Sequence, residues 1–387
     1  MERQRTSCMN CADPRMRTSV GAMLNRQYDF LIVGAGLYGV TFARRATDMG
    51  ARCLVIDRRP HVGGNAYCEK VAGIMVHKYG AHIFHTNRED VWRFVTHYAR
   101  FAPYIHRVSA RSGGKLYSMP FNLKTFRQLW GNLEPAEVKR IISVQRVKYE
   151  PPKNLEEQAL SLIGKDIYEA LVKGYTEKQW GKPCCELPAS IIQRIPLRFT
   201  DDDRYFADKY QGIPEGGYTA MVERMLGDIP VITGLDYRML IKISPNIAAK
   251  TIYTGPIDEY YEYCLGKLEY RSLQFKEEVL DREIYQERAV INECDAETEF
   301  TRTIEHKHFE WRDIPKTVIT REYPQPWTPE RIPYYPINDL RNSALYQSYV
   351  KLAKKTPNLY FGGRLGEYRY YNMDEVIAAA LQATKNI

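Results

Sequence analysis

The stretch Gly34-Ala35-Gly36-Leu37-Tyr38-Gly39 carries the most explicit chemistry in this 387-residue sequence. Glycines at this spacing let a main chain turn tightly, approach a pyrophosphate and pack a helix close to a strand. The amides of Leu37 and Tyr38 then open a helix whose free N–H groups suit phosphate. Asp57 lies near the ~20-residue spacing at which an acid bonds a ribose hydroxyl. These residues need a particular frame, and the sequence supplies it. Tyr28–Val33 reads as a buried strand, Val40–Met49 as a helix closed by Gly50, and Cys53–Ile56 as a second strand ending at Asp57. A lone glycine motif is weak, but strand, turn, helix, strand and acid in that order predict a bound dinucleotide.

Which dinucleotide follows from the next residues. Arg58-Arg59-Pro60-His61-Val62-Gly63-Gly64-Asn65 resembles the R-x-x-G-G element of two-dinucleotide-binding flavoproteins, with Arg58, Gly64 and Asn65 against the cofactor. A second piece comes late: Asn358–Phe361 as a strand, then Gly362-Gly363-Arg364, then a helix over Asp374–Ala383. FAD is the expected cofactor, with Arg364 standing where flavoproteins usually carry an acid. A cofactor held by both ends of the chain implies that the middle is inserted.

The expected fold is α/β: a Rossmann-like FAD-binding domain with a helical insertion and an antiparallel β-sheet domain. Residues 1–27 are expected to be a flexible extension, polar and without a secretory signal, with an uncertain start among Met1, Met9, Met16 and Met23. Residues 28–110 would form the first part of the FAD domain and 111–200 a mainly helical insertion with a mobile substrate loop. Residues 201–340 would form a sheet-rich substrate domain with returning FAD-domain segments, and 341–387 the C-terminal part of the FAD domain. The runs Val231–Thr233, Thr251–Tyr253 and Thr317–Ile319 read as strands after residue 200, and an antiparallel sheet is expected mainly from residues 240–335. Gly181, Pro183 and Pro188 punctuate the chain ahead of Arg194, the pattern of a lid.

Charge and cysteine usage exclude several classes. The net charge of +8 suits an anionic metabolite, and no Lys/Arg block with interleaved aromatics predicts nucleic-acid binding. No apolar run reaches the ~20 residues of a membrane span. Cys8-x-x-Cys11 lacks a second pair, so no metal site is expected, and the eight cysteines form no disulfide framework. A reducing, cytoplasmic location is the expectation.

Longer strings are more specific. His77–Asn87 (HKYGAHIFHTN), Gly174–Gly181 (GYTEKQWG), Arg194–Phe199, Tyr210–Pro214, Glu305–Phe309, Tyr334–Pro336 and Glu367–Tyr371 resemble prokaryotic UDP-galactopyranose mutases, over nearly everything after residue 27. The resemblance implies reversible conversion of UDP-galactopyranose to UDP-galactofuranose without net redox change. Reduced FAD would act through flavin N5 as nucleophile at the anomeric carbon, with UDP as leaving group. It implies Arg194 on a mobile loop and Arg302 as its fixed counterpart at the diphosphate, with His85 against the flavin. His82, Ile83, Tyr371, Asn372 and Met373 would also touch FAD. Tyr175 and Thr176 would hold the uracil end, Trp180 would close over the substrate, and His106, Tyr205, Asn292, Tyr335 and Tyr370 would complete the substrate site. A homodimer or higher homo-oligomer feeding cell-surface polysaccharide is implied as well.

Two departures stand out. Asn372 replaces an expected Asp, and His106 stands where many members have Asn. A flavin oxidase of the same fold, or a flavin-free binding protein like the GDP-dissociation inhibitors, would share the architecture. Neither would explain paired arginines among tyrosines.

Overall fold

The computed structural model describes residues 20–192, 196–310 and 313–386, in two compact units. The first comprises the chain up to Gly64, Val222–Leu265 and Gln347–Ile387; the second comprises Asn65–Met221 and Gly266–Tyr346.

In the first unit a five-stranded parallel sheet runs in the order Val231–Thr233, Cys53–Asp57, Tyr28–Val33, Ala248–Tyr253, Leu359–Phe361. Cys53–Asp57 is buried at every residue, as expected of a strand covered on both faces. The helices Leu37–Asp48 and Met373–Asn386 pack on each other, so both ends of the chain meet at the glycine turn. Residues 20–24 were expected in the flexible extension. They are helical instead, with Val20, Met23 and Leu24 packed on the Tyr28, Leu31 and Leu54 cluster. The first 19 residues, with Cys8 and Cys11, lie outside the described residues.

The second unit is built on a seven-stranded sheet in the order Tyr335–Pro336, Tyr270–Leu280, Thr317–Pro326, Arg302–Glu305, Val290–Glu293, Val108–Ser112, Lys115–Met119. All its pairings are antiparallel except that of Val290–Glu293 with Val108–Ser112. A smaller antiparallel sheet pairs Phe84–Thr86 and Phe101–Pro103 with Tyr210–Pro214. The helices Leu123–Trp130, Pro135–Gln145 and Leu155–Ile163 share an apolar core with Ile167, Tyr168 and Leu171. Asn122 and Asn154 cap two of them through side-chain oxygens.

The domain boundaries differ from the sequence expectation at three places. Residues 65–110 belong to the second unit, because Phe84–Thr86 and Val108–Ser112 find their hydrogen-bonding partners there. Thr251–Tyr253, within the 240–335 stretch expected to supply the antiparallel sheet, joins the parallel sheet of the first unit instead, as does Val231–Thr233, one of the returning segments. The expected helical insertion begins in strand, since residues through Met119 pair in the seven-stranded sheet. Among the described residues no helix is long and apolar enough to cross a membrane.

Gly362 shows how tightly the first unit closes. A Cβ there would lie 2.1 Å from Tyr38 Cζ, and Tyr38 is buried. Gly362→Ala is expected to destabilise by about 1–3 kcal/mol through overpacking, read from the urea midpoint. Gly50→Ala meets no atom within 4 Å and carries only the cost of its φ of +92°, about 1 kcal/mol. Equal midpoints for Gly362→Ala and the wild type would mean the Tyr38 ring moves freely aside.

Candidate active site

The first unit presents a cradle for a dinucleotide. Gly34 turns at φ +111°, and a Cβ on Gly39 would strike the Gly34 carbonyl oxygen at 2.0 Å. Gly64 faces Gly36 so closely that a Cβ on Gly64 would sit 2.9 Å from the Gly36 Cα. The helix Leu37–Asp48 starts at Gly36 with no side-chain cap and no acid in its first turn, leaving its N–H groups for an anion. These features fit a pyrophosphate laid over a glycine surface.

Asp57 has more local work than expected. Its two carboxylate oxygens accept the Ala35 and Arg59 amides, each at 2.8 Å, so it braces the turn itself. Arg58 donates to Glu259 at 2.8 Å and is half-exposed. Tyr38 packs its ring on Gly362 and Gly363, and burial, then Glu367 and Tyr371, raise its phenol well above the ordinary value. Arg364 donates to the Tyr371 carbonyl at 2.7 Å and stacks over Tyr370 at 4.8 Å. Tyr371 in turn donates to Glu367. Asn372 lies immediately before the helix beginning at Met373; its amide donates to Glu375 and its carbonyl accepts from Val376. Asn serves that position about as well as Asp, so the departure is neutral for the helix.

The second unit gathers a polar cluster around Arg302. Arg302 Nε donates to Asn292 Oδ1 at 3.1 Å, and Nη2 donates to the Tyr175 hydroxyl at 2.7 Å. Nη1 lies 3.6 Å from the buried Glu322 carboxylate. This is close enough for charge attraction but too long for a hydrogen bond. Strand register accounts for the arrangement: Asn292 opposes Arg302, and Arg302 opposes Glu322, so the three form one row across the sheet. Burial works against the Arg302 charge, but Tyr175, Glu322, Tyr335 and Tyr205 outweigh it and hold the pKa well above its usual value. Burial pushes the Tyr175 phenol up to about 12, against the pull of Arg302. Its oxygen accepts from Arg302 while its proton stays available to a ligand.

Aromatic groups wall this cluster. His106 packs against Tyr205 at 5.5 Å and Phe206 at 5.9 Å, and Phe206 stacks on His85 at 3.6 Å and 13°. Burial first, then Arg302 and His85, depress His106 to about 3, so it is neutral. His85 Nδ1 is 2.7 Å from Asp208. His82 donates its amide to His77 Nδ1 at 3.1 Å, and its carbonyl accepts from Tyr218 at 3.1 Å. Ile83 is a core residue beside Val108 and Ile304, which leaves its main chain for any cofactor contact. Thr176 is buried. Trp180 packs on the helical core just before Gly181, whose φ of +67° ends the helix under the Arg271 guanidinium.

Of the expected substrate residues, His106, Tyr175, Tyr205, Asn292, Arg302 and Tyr335 converge through these contacts and charges. Thr176 and Trp180 share the Tyr175 helix, Gly174–Trp180. Tyr370 belongs to the first unit, exposed and covered by Arg364. Arg194 lies outside the described residues. Arg198 is engaged with the Asp202 and Arg204 carbonyls. The preceding segment, expected as a lid, forms two short turns, Cys184–Glu186 and Ala189–Ile192, with Leu187 in the helical core. Sequence reading missed Glu322, Phe206 and Asp208. Only Phe206 carried a signal, its place beside Tyr205.

A nucleotide-binding enzyme of Rossmann type is thereby defined. The family model described as GLF, UDP-galactopyranose mutase, matches residues 170–370, and an NAD(P)-binding Rossmann-like domain matches 32–98. The chain is 42% identical over 359 residues to a probable UDP-galactopyranose mutase of Klebsiella pneumoniae, covering 92% of this chain and 93% of that protein. It is 37% identical over 369 residues to a dTDP-fucopyranose mutase of Escherichia coli, covering 92% and 97%. The chain belongs to the UDP-galactopyranose mutase family. Among solved structures, reduced UDP-galactopyranose mutase aligns with a TM-score of 0.72 at 15% identity, over 93% of this chain and 95% of that one. A redesigned putrescine oxidase aligns at 0.58 and 13% identity, over 93% and 99%. These two likenesses concern the fold alone.

Buried neutral histidines make the site acid-sensitive. The depressed folded pKa of His106, about 3, means the unfolded chain binds a proton first, below its ordinary value of about 6.5. Stability is therefore full above that value and falls as pH drops from about 6.5 toward 3. His106 alone is expected to cost about 1–2 kcal/mol between pH 7 and pH 5. Urea titrations at the two pH values check this: His106→Gln should narrow the gap by that amount, and an unchanged gap would refute it.

Proposed function

We propose that this chain interconverts UDP-galactopyranose and UDP-galactofuranose using bound reduced FAD. Arg302 carries the reading. It is a fixed, charged guanidinium held by Asn292 and Tyr175 and left without a hydrogen-bonded carboxylate. Such a group matches the charge that develops as a diphosphate departs.

FAD, when bound, supplies flavin N5 as a nucleophile toward the anomeric carbon once it is reduced. Gly34, Gly36, Leu37, Tyr38 and Gly39 would hold it, with Asp57, Arg58, Gly64, Asn65, His82, Ile83, Arg364, Tyr371, Asn372 and Met373. Arg302 and Arg194 hold the diphosphate, and Tyr175, Tyr205, Tyr335 and Tyr370 donate hydroxyl hydrogen bonds to diphosphate or sugar. Tyr175 and Thr176 take the uracil end with His106 near the uridine, Trp180 closes over the substrate, and Asn292 adds a further substrate contact. Arg194 arrives on a lid when UDP is present and excludes water from the reacting sugar. The active form is a cytoplasmic homo-oligomer.

The 37% relative named for dTDP-fucopyranose favours a second reading, in which the sugar lacks the C6 hydroxyl and the base is thymine. One experiment separates the readings. Dithionite-reduced protein is incubated anaerobically with UDP-galactofuranose or dTDP-fucofuranose, and the pyranose products are resolved by chromatography. UDP-galactopyranose formed by reduced but hardly by oxidised protein is the expected result. Faster turnover of the dTDP sugar would transfer the assignment to the second reading, and equal rates in both redox states would remove the flavin chemistry.

Arg302→Ala is expected to lower kcat by about a hundredfold or more, as for loss of one preorganised donor. Arg302→Lys should recover only part, lacking the planar fork. A wild-type rate for the alanine variant would reduce Arg302 to a structural ion.

A further inference from the structure

We propose that Asp208 is a positioning residue for His85, fixing its imidazole as the Nδ1–H tautomer so that Nε2 accepts a hydrogen bond from a sugar hydroxyl. The sugar's part in this rests on the function proposed above; the tautomer does not.

The two residues are far apart in sequence and are joined by strand register. His85 opposes Gln211 in the pairing of Phe84–Thr86 with Tyr210–Pro214, which brings the turn before Tyr210 beside the histidine. His85 Nδ1 then lies 2.7 Å from Asp208 Oδ2. An ionised carboxylate only accepts hydrogen bonds, so the proton between them belongs to Nδ1. A ring flip would turn a carbon toward the carboxylate and lose the bond.

Asp208 is itself held from several sides. Its Oδ1 accepts from Asn87 Nδ2 at 2.5 Å, and Asn87 Oδ1 accepts the Lys209 amide at 2.9 Å, closing a ring of bonds. Gln211 donates to the Asp208 carbonyl at 2.8 Å and to the Phe206 carbonyl at 3.4 Å. Phe206 covers one face of the imidazole at 3.6 Å. Tilt and ring flip of His85 are thus both restrained, while among the described residues nothing bonds Nε2. His106 also packs against Phe206, and its depressed titration registers both Arg302 and His85. His85 therefore belongs to the same cluster as the diphosphate arginine.

A carboxylate holding Nδ1–H makes the distal nitrogen a better acceptor and stabilises positive charge on the ring. Asp208 from the turn is the charged group bonded to His85, and His106 packs against the same Phe206 ring. The Lys209 ammonium is directed away, over the Tyr210 ring at 4.7 Å. Asp208 is the carboxylate among these groups, so its removal takes away the acceptor that fixes the Nδ1 proton.

The test reads the imidazole nitrogens directly. Protein labelled with ¹⁵N-histidine is examined by NMR at pH 8 without substrate, with His85→Gln assigning the signal. The expected pattern is protonated Nδ1 and pyridine-like Nε2 in the wild type, lost in Asp208→Asn and restored in Asp208→Glu. In the mutase assay Asp208→Asn should lower kcat about 10–100-fold with KM little changed. A wild-type His85 carrying its proton on Nε2 overturns the proposal, whether or not the variants fold. So does an Asp208→Asn protein with the wild-type tautomer and the wild-type kcat. The expected tautomer in a protein that converts no nucleotide sugar would leave the Asp208–His85 pair standing and sink the functional reading.

Discussion

A guanidinium in a mostly buried setting must satisfy two opposing demands. It needs enough hydrogen bonds and countercharge to remain inside the protein, and enough unspent charge to attract a diphosphate. Here both are met by the register of one sheet. Asn292, Arg302 and Glu322 occupy adjacent positions on three neighbouring strands, a row extended by Ala110 on one side and Phe275 on the other. Because side chains alternate faces along a strand, a slip of one residue would turn Arg302 to the opposite face. Asn292 and Tyr175 take two of the guanidinium edges, while Glu322 stays 3.6 Å away. A direct bidentate pair would have spent the charge on the protein. The long Arg302–Glu322 approach keeps it available.

The remaining titratable groups follow the same economy. His106, His77 and His306 are all pushed down chiefly by burial, with Arg302 adding to this at His106 and Lys78 at His306. Neutral imidazoles can then line the unit without repelling an anion and without repelling Arg302. His77 illustrates the structural use: its Nδ1 accepts the His82 amide while its own amide donates to His306. The chain segment carrying His82 and His85 is thus tied to the sheet unit by uncharged contacts. Positive charge is left to arginine, whose protonation does not depend on pH.

Much of the first unit was legible because its logic is local. The glycine turn, its flanking strands and the following acid fall within about thirty residues, and each glycine has a steric reason readable from sequence alone. Asp57 ends its strand as the pattern indicated, and its carboxylate braces the turn through the Ala35 and Arg59 amides. Short β-branched runs carry less information. Val231–Thr233 and Thr251–Tyr253 look the same whether they join a parallel or an antiparallel sheet, and only pairing decides. Glu322 and Asp208 were invisible for the same cause. An acid in a strand or a turn reads as solvent-facing until its partner is known, and Arg302 and His85 reach them across the register of distant strands. Arg302, Tyr175 and Asn292 came from family resemblance, not from pattern.

The fold by itself would not have distinguished a mutase from an amine oxidase. The putrescine oxidase aligns over 93% of the chain, yet the two chemistries ask for opposite surroundings. An oxidase must bring its substrate to the flavin and carry electrons onward to an acceptor. A mutase has no electrons to deliver and must instead retain a highly charged leaving group for its return. That demand selects for fixed cations and for hydroxyls that donate while themselves being polarised. Tyr175 is such a hydroxyl: Arg302 bonds its oxygen, and burial keeps its proton in place to about pH 12. A sheet fixes such groups better than loops, because every member of the Asn292–Arg302–Glu322 row is held by main-chain bonds on both sides. On the function proposed above, the variable part of recognition, which base and which sugar, would change around the row while the grip on the diphosphate stayed the same. Relatives named for a UDP-hexose and a dTDP-deoxyhexose are consistent with that division of labour.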